Sequence, residues 1–483
     1  MKTIQDILKG IDFKLVEGQV SSPISGLAFN SREVRYGYMF FAISGTQTDG
    51  HLYVEDAIKA GADCIIAEKP DSSWQCKTII KVENSGLALS YAAANFWNQP
   101  SKKLKLIGVT GTNGKTTTVT LLHHLMMKMG YSSGLISTIR IFINNKEIPA
   151  THTTPDALTL NKLLAEMVDG GCQYAFMEVS SHAIVQKRTV ALEFAGGIFT
   201  NITHDHLDYH LTFRNYLDAK KGFFDNLSES AFCLTNSDDR HSEYMVQNTA
   251  AKKFTYGLKN PADFKARMIE SSLDGLHLKI GNDDFYTSKV GSFNAYNTMA
   301  VYAATMLLDI DKIKILENLS HDIEVPGRFQ FVYINPDFKA IVDYAHTPDA
   351  LENVLKTILE SRKTGQRIIT VFGCGGNRDK TKRPIMGKIA AENSDLVIVT
   401  SDNPRDEEPE LIINEILKGI DNSFNSKVIV IADREQAIKT ACTFADKNDV
   451  ILVAGKGHEN YQEIKGVKTH FDDKEVLLEY LKT

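Results

Sequence analysis

The sequence predicts an α/β protein in three blocks, the second and third each built on an open, largely parallel sheet. Three observations carry that expectation. At 483 residues the chain is longer than one ordinary core organises, and roughly two to four domains is the expected range. Short apolar runs alternate with helical stretches along most of its length, the pattern of strands joined by crossover helices. Polar residues of chemical interest stand directly after those runs, where open α/β sheets bind ligands beyond the carboxyl ends of their strands.

The first block covers residues 1–100. Within it Phe40-Phe-Ala-Ile43 and Cys64-Ile-Ile-Ala67 read as strands with the helix-like Val54–Ala60 between them, and the turn-forming cluster Asn98-Gln-Pro-Ser101 closes it. The second, 101–325, opens with the apolar run Leu104–Thr110, a Gly-rich turn and the helical stretch Lys115–Met129. Strand-like runs recur at Tyr174–Val179, Gly197–Thr200 and Ala231–Leu234. The third, 326–483, begins near Val325-Pro-Gly-Arg-Phe329 and reads as a Rossmann-like α/β unit. Its strands are Ala340–Val342, Ile368–Phe372, Leu396–Thr400, Lys427–Ile431 and Val450–Ala454, with helices between them.

Composition excludes several classes. Lys plus Arg number 54 against 60 for Asp plus Glu, so a net charge of −6 leaves no nucleic-acid footprint. No apolar run approaches the roughly 18 residues of a membrane span, and the charged start is unlike a secretory leader. The six cysteines are scattered without a C-x-x-C pair, which argues for a reducing cytoplasm and against a zinc knuckle or disulfide framework.

A strand running into Gly111-Thr-Asn-Gly-Lys-Thr-Thr117 and then a helix is what a polyphosphate needs. Glycines let backbone N–H groups close on phosphate oxygens, and the helix N-terminus adds partial positive charge. Lys115 would sit against the β/γ-phosphates and Thr116 would ligate Mg²⁺. Val109 stands where the general motif has its first glycine, with Gly108 one residue earlier. The competing interpretation is a turn that merely packs a helix on a sheet. Glu178, at a strand end, suits Mg²⁺ or its water shell, or else is an ordinary surface carboxylate. The segment Thr203-His-Asp-His-Leu-Asp-Tyr-His210 is dense in metal-binding side chains, though zinc usually draws ligands from several elements. A magnesium or substrate role for one histidine is the better expectation. Lys220 follows on a helix, where a solvated face is the alternative.

Taken in order, these motifs resemble the ATP-dependent Mur ligases of peptidoglycan synthesis. Glu178-Val-Ser-Ser-His182, Gly291-Ser-Phe-Asn-Ala-Tyr-Asn297, Pro326-Gly-Arg-Phe329, Asp343-Tyr-Ala-His-Thr-Pro348, Phe372–Lys380 and Gly455-Lys-Gly-His-Glu459 extend the likeness over the whole chain. The resemblance implies an N-terminal domain for the UDP end of the substrate, a central ATPase and a C-terminal domain for the incoming amino acid. It also implies that a substrate carboxylate takes the γ-phosphoryl group of ATP to form an acyl phosphate, which an amine then attacks. The implied catalytic residues are Lys115, His206 and Lys220, the last as the lysine that family members carbamylate; only family register prefers it to Lys221. Implied metal residues are Thr116, Glu178, His206 and Lys220, with Mg²⁺ as cofactor and ATP as co-substrate. Gly111, Thr112, Asn113, Gly114, Lys115, Thr116 and Thr117 would hold the phosphates; Asn297, Arg328 and Asp343 match adenine, phosphate and ribose contacts.

By the same resemblance Phe29, Ser31, Thr46, Gln47 and Thr48 correspond to a UDP pocket. His152, Thr153, Thr154, Ser180, Gln186 and Arg188 match positions that hold the muramoyl-dipeptide, although some members have Asn where His152 stands. Asp402-Asn403-Pro404-Arg405 resembles the family's motif for meso-diaminopimelate, and Arg378, Gly455 and Glu459 match the remaining contacts. A guanidinium grips a carboxylate through two parallel charge-assisted bonds. L-lysine lacks the distal carboxylate of diaminopimelate and would leave Arg405 unpaired. The expectation is therefore a ligase adding diaminopimelate to UDP-MurNAc-L-Ala-D-Glu. A lysine-adding ligase, a folylpolyglutamate synthase-like ligase and a P-loop regulatory ATPase remain as alternatives. Only small-molecule partners are expected, with no nucleic acid or membrane, for a cytoplasmic monomer.

Overall fold

The computed structural model describes residues 1–45, 48–150, 152–332 and 339–481, and their side chains apart from those of Leu207 and Asp208. Three sheets dominate it, one in each of the anticipated blocks. The first has the spatial order Phe13–Glu17, Thr78–Val82, Ala62–Ala67, Tyr38–Phe41, Gly26–Ala28, with only the Phe13–Glu17 pairing antiparallel. The helix Ser85–Phe96, capped by Asn84, packs on this block and was absent from the sequence reading.

The second sheet has eleven strands. At its centre Ser133–Ile136, Tyr174–Glu178, Lys105–Thr110, Gly196–Phe199, Phe232–Asn236 and Lys252–Gly257 lie parallel in that order. Lys105–Thr110 is covered on both faces and is therefore almost continuously apolar, as parallel strands under helices must be. Alternate residues serve separate cores: Ile107 and Val109 face the helices Lys115–Lys128 and Ser292–Leu307, whereas Leu106 faces Leu160, Leu164 and Phe224. The sheet is largely parallel, as expected, but both of its edges are antiparallel. One edge is the hairpin Arg140–Ile143 with Lys146–Pro149; the other is the meander Phe264–Ser272, Gly275–Ile280, Asp283–Thr287.

The third sheet runs Gln330–Val332, Lys339–Asp343, Val450–Ala454, Ile368–Phe372, Leu396–Val399, Val428–Val430, parallel except for the first pair. Helix starts are set by side-chain caps: Asp156 accepts from Leu158 N and Thr159 N, Thr212 from Asn215 N, and Thr347 from Ala350 N with Pro348 in the first turn. Such caps place each helix, and hence its first-turn residues, at the carboxyl end of the preceding strand. The first core also reaches into the second block, because Ala157 and Leu158 pack with Ile66 and Leu89. Among the described residues no helix is long and apolar enough to cross a membrane, and all six cysteines are free.

Candidate active site

The phosphate loop leaves the strand Lys105–Thr110 and enters the helix Lys115–Lys128 through two glycines with positive φ, Gly111 at 155° and Gly114 at 86°. Neither position admits a side chain: a Cβ on Gly111 would lie 1.9 Å from Thr200 Oγ1, and one on Gly114 would lie 2.4 Å from Asn297 Oδ1. Gly108, by contrast, is a core residue, pressed between Phe223, Phe194 and Val179. The imperfect start of the motif is thus a packing requirement, and the turn proper begins at Gly111. Thr200 Oγ1 and Asn201 Nδ2 donate to Asn113 O, and Thr112 Oγ1 meets Tyr216 OH at 3.0 Å, so the neighbouring strand end braces the loop.

Lys115 Nζ donates to Gly111 O at 2.9 Å and Thr112 O at 2.8 Å, and Lys220 Nζ donates to the same Gly111 O at 2.8 Å. Lys220 is 1% exposed, which removes the solvated-face alternative. Lys221 instead pairs with Asp225, so of the two lysines only Lys220 reaches the loop. Burial pushes both Lys115 and Lys220 below the ordinary lysine value, and for Lys220 the neighbouring Lys115 charge adds to the effect.

Glu178 is wholly buried. Its Oε1 accepts from Thr138 N at 2.7 Å, while Oε2 is buried without a hydrogen-bond partner. A buried carboxylate oxygen is not left unpaired without cost. That orphaned oxygen, whose carboxylate acts on the adjoining Lys115, and the buried Thr116 hydroxyl next to that lysine are hard oxygen donors of the kind Mg²⁺ prefers. The residues present fit the ion. Of the three histidines of the 203–210 segment, His204 turns away to stack on Phe213, while His206 and His210 both pack on His182, His206 Nε2 lying 3.5 Å from Asp205 and His210 Nε2 meeting Ser181 Oγ at 2.9 Å. Among the described residues no three His, Cys, Asp or Glu side chains group as metal ligands. Burial lowers the His206 value; for Asp205 burial acts upward, but His206, His346 and Lys115 outweigh it and hold the carboxyl low.

The predicted dipeptide residues form one linked cluster against Glu178. Thr154 Oγ1 donates to Glu178 O, Thr153 Oγ1 accepts from Thr138 Oγ1, and Arg188 donates to Thr154 O and twice to Gln186 Oε1. Ser180 caps the short helix Ser181–Val185, and Gln186 reaches Tyr209 OH. His152 lies in the segment just before them. Phe29, Ser31 and Thr48 sit apart in the first block: Phe29 half-buried on its core, Ser31 opening a 3₁₀ turn, and Thr48 accepting from Gly45 N. Thr46 and Gln47 lie outside the described residues.

Across the cleft, Arg328 from the third block donates to Thr116 Oγ1 at 3.3 Å, while its Nε is buried without a partner. The same guanidinium lies 4.7 Å from the Tyr344 ring, and Tyr344 OH donates to Glu459 Oε1 at 3.3 Å. Asp343 Oδ2 accepts from Phe329 N at 2.6 Å; burial raises its carboxyl to about 6. Asn297 is buried and donates to Asn294. Asn403 donates to Glu459 Oε2 at 2.7 Å and accepts from Lys456 Nζ at 2.9 Å. Burial, followed by the Asp402 charge, raises Glu459. Gly455, at φ 119°, faces Asp402, since a Cβ there would lie 2.5 Å from Asp402 Oδ2. Pro404 O abuts Gly376, and Arg378 is exposed beside Gly375. Arg405 lies at φ 53° and has partners within the protein. Its Nη1 donates to Gly376 O at 2.7 Å, and its Nε lies 3.7 Å from Glu463.

The sequence reading missed Asp349, which accepts from phosphate-loop Asn113 at 2.6 Å and from Thr203 at 3.2 Å. Tyr344 and Lys456 were also missed, though both stand inside the motifs Asp343–Pro348 and Gly455–Glu459. Nothing in the sequence signalled Tyr216.

A phosphate loop on one sheet, clasped by Arg328 and Asp349 from the third block, defines the class as a nucleotide-dependent enzyme. Three family models match: the Mur ligase family catalytic domain over 23–97, the Mur ligase middle domain over 109–305, and the Mur ligase glutamate ligase domain over 327–457. A UDP-N-acetylmuramoyl-L-alanyl-D-glutamate–2,6-diaminopimelate ligase from Cytophaga hutchinsonii is 51% identical over 483 residues, covering 99% of both chains. A solved structure bearing the same description superposes with a TM-score of 0.69 at 32% identity, covering 99% of this chain and 98% of that one. The MurF ligase of Thermotoga maritima, solved with ADP, shares the fold with a TM-score of 0.61 at 19% identity, covering 94% of this chain and 96% of that one. The chain belongs to the Mur ligase family.

Proposed function

We infer that this chain is an ATP-dependent ligase that adds meso-2,6-diaminopimelate to the D-glutamate of UDP-N-acetylmuramoyl-L-alanyl-D-glutamate in peptidoglycan precursor synthesis. The observation that carries the reading is the relay Thr116–Arg328–Tyr344–Glu459, which joins the phosphate loop to the amino-acid pocket in three contacts. Phosphoryl transfer and amine attack then occur in one cleft. The relative named for this reaction, half identical along its whole length, supports the choice of acceptor.

In the first step a carboxylate oxygen of the D-glutamate attacks the γ-phosphorus and ADP leaves. In the second the amine attacks the acyl carbon, phosphate leaves and the nitrogen gives up a proton. Lys115, released from Gly111 O and Thr112 O, would neutralise charge on the β/γ-phosphate oxygens, while Gly111–Thr117 N–H groups cradle them. Arg328 would bind phosphate, Asp343 the ribose and Asn297 the adenine. Thr116, Glu178, His206 and a carbamylated Lys220 would hold Mg²⁺, which when bound supplies charge neutralisation and orientation of the phosphoryl group. Carbamylation requires a neutral amine to attack CO₂ with loss of a proton, and the depressed value of Lys220 favours that form.

Phe29, Ser31, Thr46, Gln47 and Thr48 would take the UDP end, and His152, Thr153, Thr154, Ser180, Gln186 and Arg188 the muramoyl-dipeptide. Arg378, Asp402, Asn403, Pro404, Arg405, Gly455 and Glu459 would take diaminopimelate. The functional domains fall at 1–100, 101–325 and 326–483, in a cytoplasmic monomer. The test is product formation by the purified chain with ATP, Mg²⁺ and UDP-MurNAc-L-Ala-D-Glu, supplied with diaminopimelate or L-lysine. Diaminopimelate-dependent tripeptide and phosphate are expected. Preference for lysine moves the assignment to the lysine-adding ligase, and phosphate release without either acceptor points to a regulatory ATPase.

A further inference from the structure

Arg378 and Arg405 stand on two different loops, residues 373–380 and 402–408, and something must fix the distance between them. Arg383, in the first turn of the helix Lys382–Asn393, has no exposed surface. Its fork donates to both oxygens of Glu407 at 2.9 and 2.9 Å, to Glu415 at 2.7 Å and to Gly375 O at 3.1 Å. Glu407 accepts in turn from Asn377 N at 2.7 Å and lies 3.1 Å from Lys380 Nζ. One carboxylate on the second loop therefore binds the backbone and side chains of the first. The loops are also in direct contact, since Gly376 N donates to Asn403 O and a Cβ on Gly376 would lie 1.8 Å from Pro404 O. Asn377 and Arg405, at φ 52° and 53°, hold a left-handed backbone that only surrounding structure maintains.

We propose that Arg383 and Glu407 are the positioning pair of the amino-acid pocket: by locking the two loops together they set the spacing of Arg378 and Arg405, and so the selection of an acceptor with a distal carboxylate. The proposal rests on the reading of the third block as the acceptor site. Arg383 is buried behind the loops and acts through them. A bidentate guanidinium–carboxylate pair fixes both distance and plane, which an ammonium at the same place does not. Reactant placement is sensitive to shifts of about an ångström.

The test uses full-length Glu407→Gln and Arg383→Lys, with melting temperature, steady-state kinetics and amide hydrogen exchange. The expected result is a KM for diaminopimelate raised about tenfold or more, consistent with loss of a charge-assisted bond, with the KM for ATP within about twofold. Diaminopimelate-over-lysine selectivity should fall in parallel. Exchange at the Asn377 and Arg405 amides should quicken in Glu407→Gln whatever the substrate proves to be. Unchanged exchange at those amides overturns the proposal, as does an equal rise of both KM values. If the wild-type chain uses no diaminopimelate, the acceptor reading fails on its own, and the exchange measurement still decides the pairing. Should Arg383→Lys not fold, Glu407→Gln, which keeps the side chain's shape, carries the same test.

Discussion

The phosphate loop and the amino-acid block bury their cations by opposite means. Lys115 and Lys220 lie in the loop region with backbone carbonyls as their hydrogen-bond partners, and burial lowers both. Arg383 and Arg434 lie in the third block, each forked onto carboxylates; the side chains of Arg434 and Asp473 are both wholly inaccessible. Carbonyl partners leave a lysine free to turn to a polyphosphate, at the expense of stability while it waits. Carboxylate partners satisfy an arginine and convert its charge into fixed geometry. The first region is built to respond to a ligand and the second to hold loops still.

The sharpest way to break this contrast is to remove one cation from each region. Lys115→Met should lower kcat/KM by about 10²–10³, the cost of losing a preorganised charge in phosphoryl transfer, while the melting temperature stays level or rises. A lower melting temperature with near-normal turnover would show that Lys115 is structural. Lys220→Ala should lose most activity without rescue by bicarbonate; full activity removes the carbamate from the mechanism. Arg434→Leu should do the reverse of the lysine variants. It strands Asp473 in the interior and should cost about 3–5 kcal/mol in denaturant unfolding, most of it regained in the Arg434→Leu/Asp473→Leu double variant. A double variant no better than the single would mean that the guanidinium bonds to Ala454 O and Ser401 O matter more than the charge pair.

The smallest effect tests the seam between the regions, at Asp343. Its carboxyl titrates near 6 when folded against an ordinary 3.8, because burial disfavours the charge. The unfolded chain thus gives up that proton first, and stability falls as pH rises from about 4 to about 6. Asp343→Asn removes the penalty, so its melting temperature relative to wild type should be higher at pH 8 than at pH 4. An equal difference at both pH values would sink the assignment.

Where the sequence was legible, the signal was contiguous. The strand, two glycines, Lys115 and helix of the phosphate loop occupy one short stretch, and the parallel strands of the third sheet are apolar runs whose ends were placed within about two residues, while its antiparallel edge strand Gln330–Val332 was not anticipated. Of the antiparallel edges, residues 140–149 and 264–287, the mostly exposed Lys146–Pro149 and Phe264–Ser272 resemble loops, whereas Gly275–Ile280 alternates Leu276, Leu278 and Ile280 into the core and carried a legible strand signal. The Asn113–Asp349 clasp spans 236 residues, and no local pattern announces it.

The sequence by itself determined that a strand–glycine–lysine–helix loop and an end-of-strand carboxylate exist in this chain, because each depends on residue type at short spacing, whereas the reading of Asp402–Arg405 rested on family resemblance. Only the tertiary structure decided that Lys220 rather than Lys221 reaches the loop, that Glu178 keeps one oxygen free, and that Arg383 and Glu407 fasten the loops 373–380 and 402–408 together. Those outcomes depend on which face a helix buries and which strand ends come together. Both are set by packing across residues far apart in the chain.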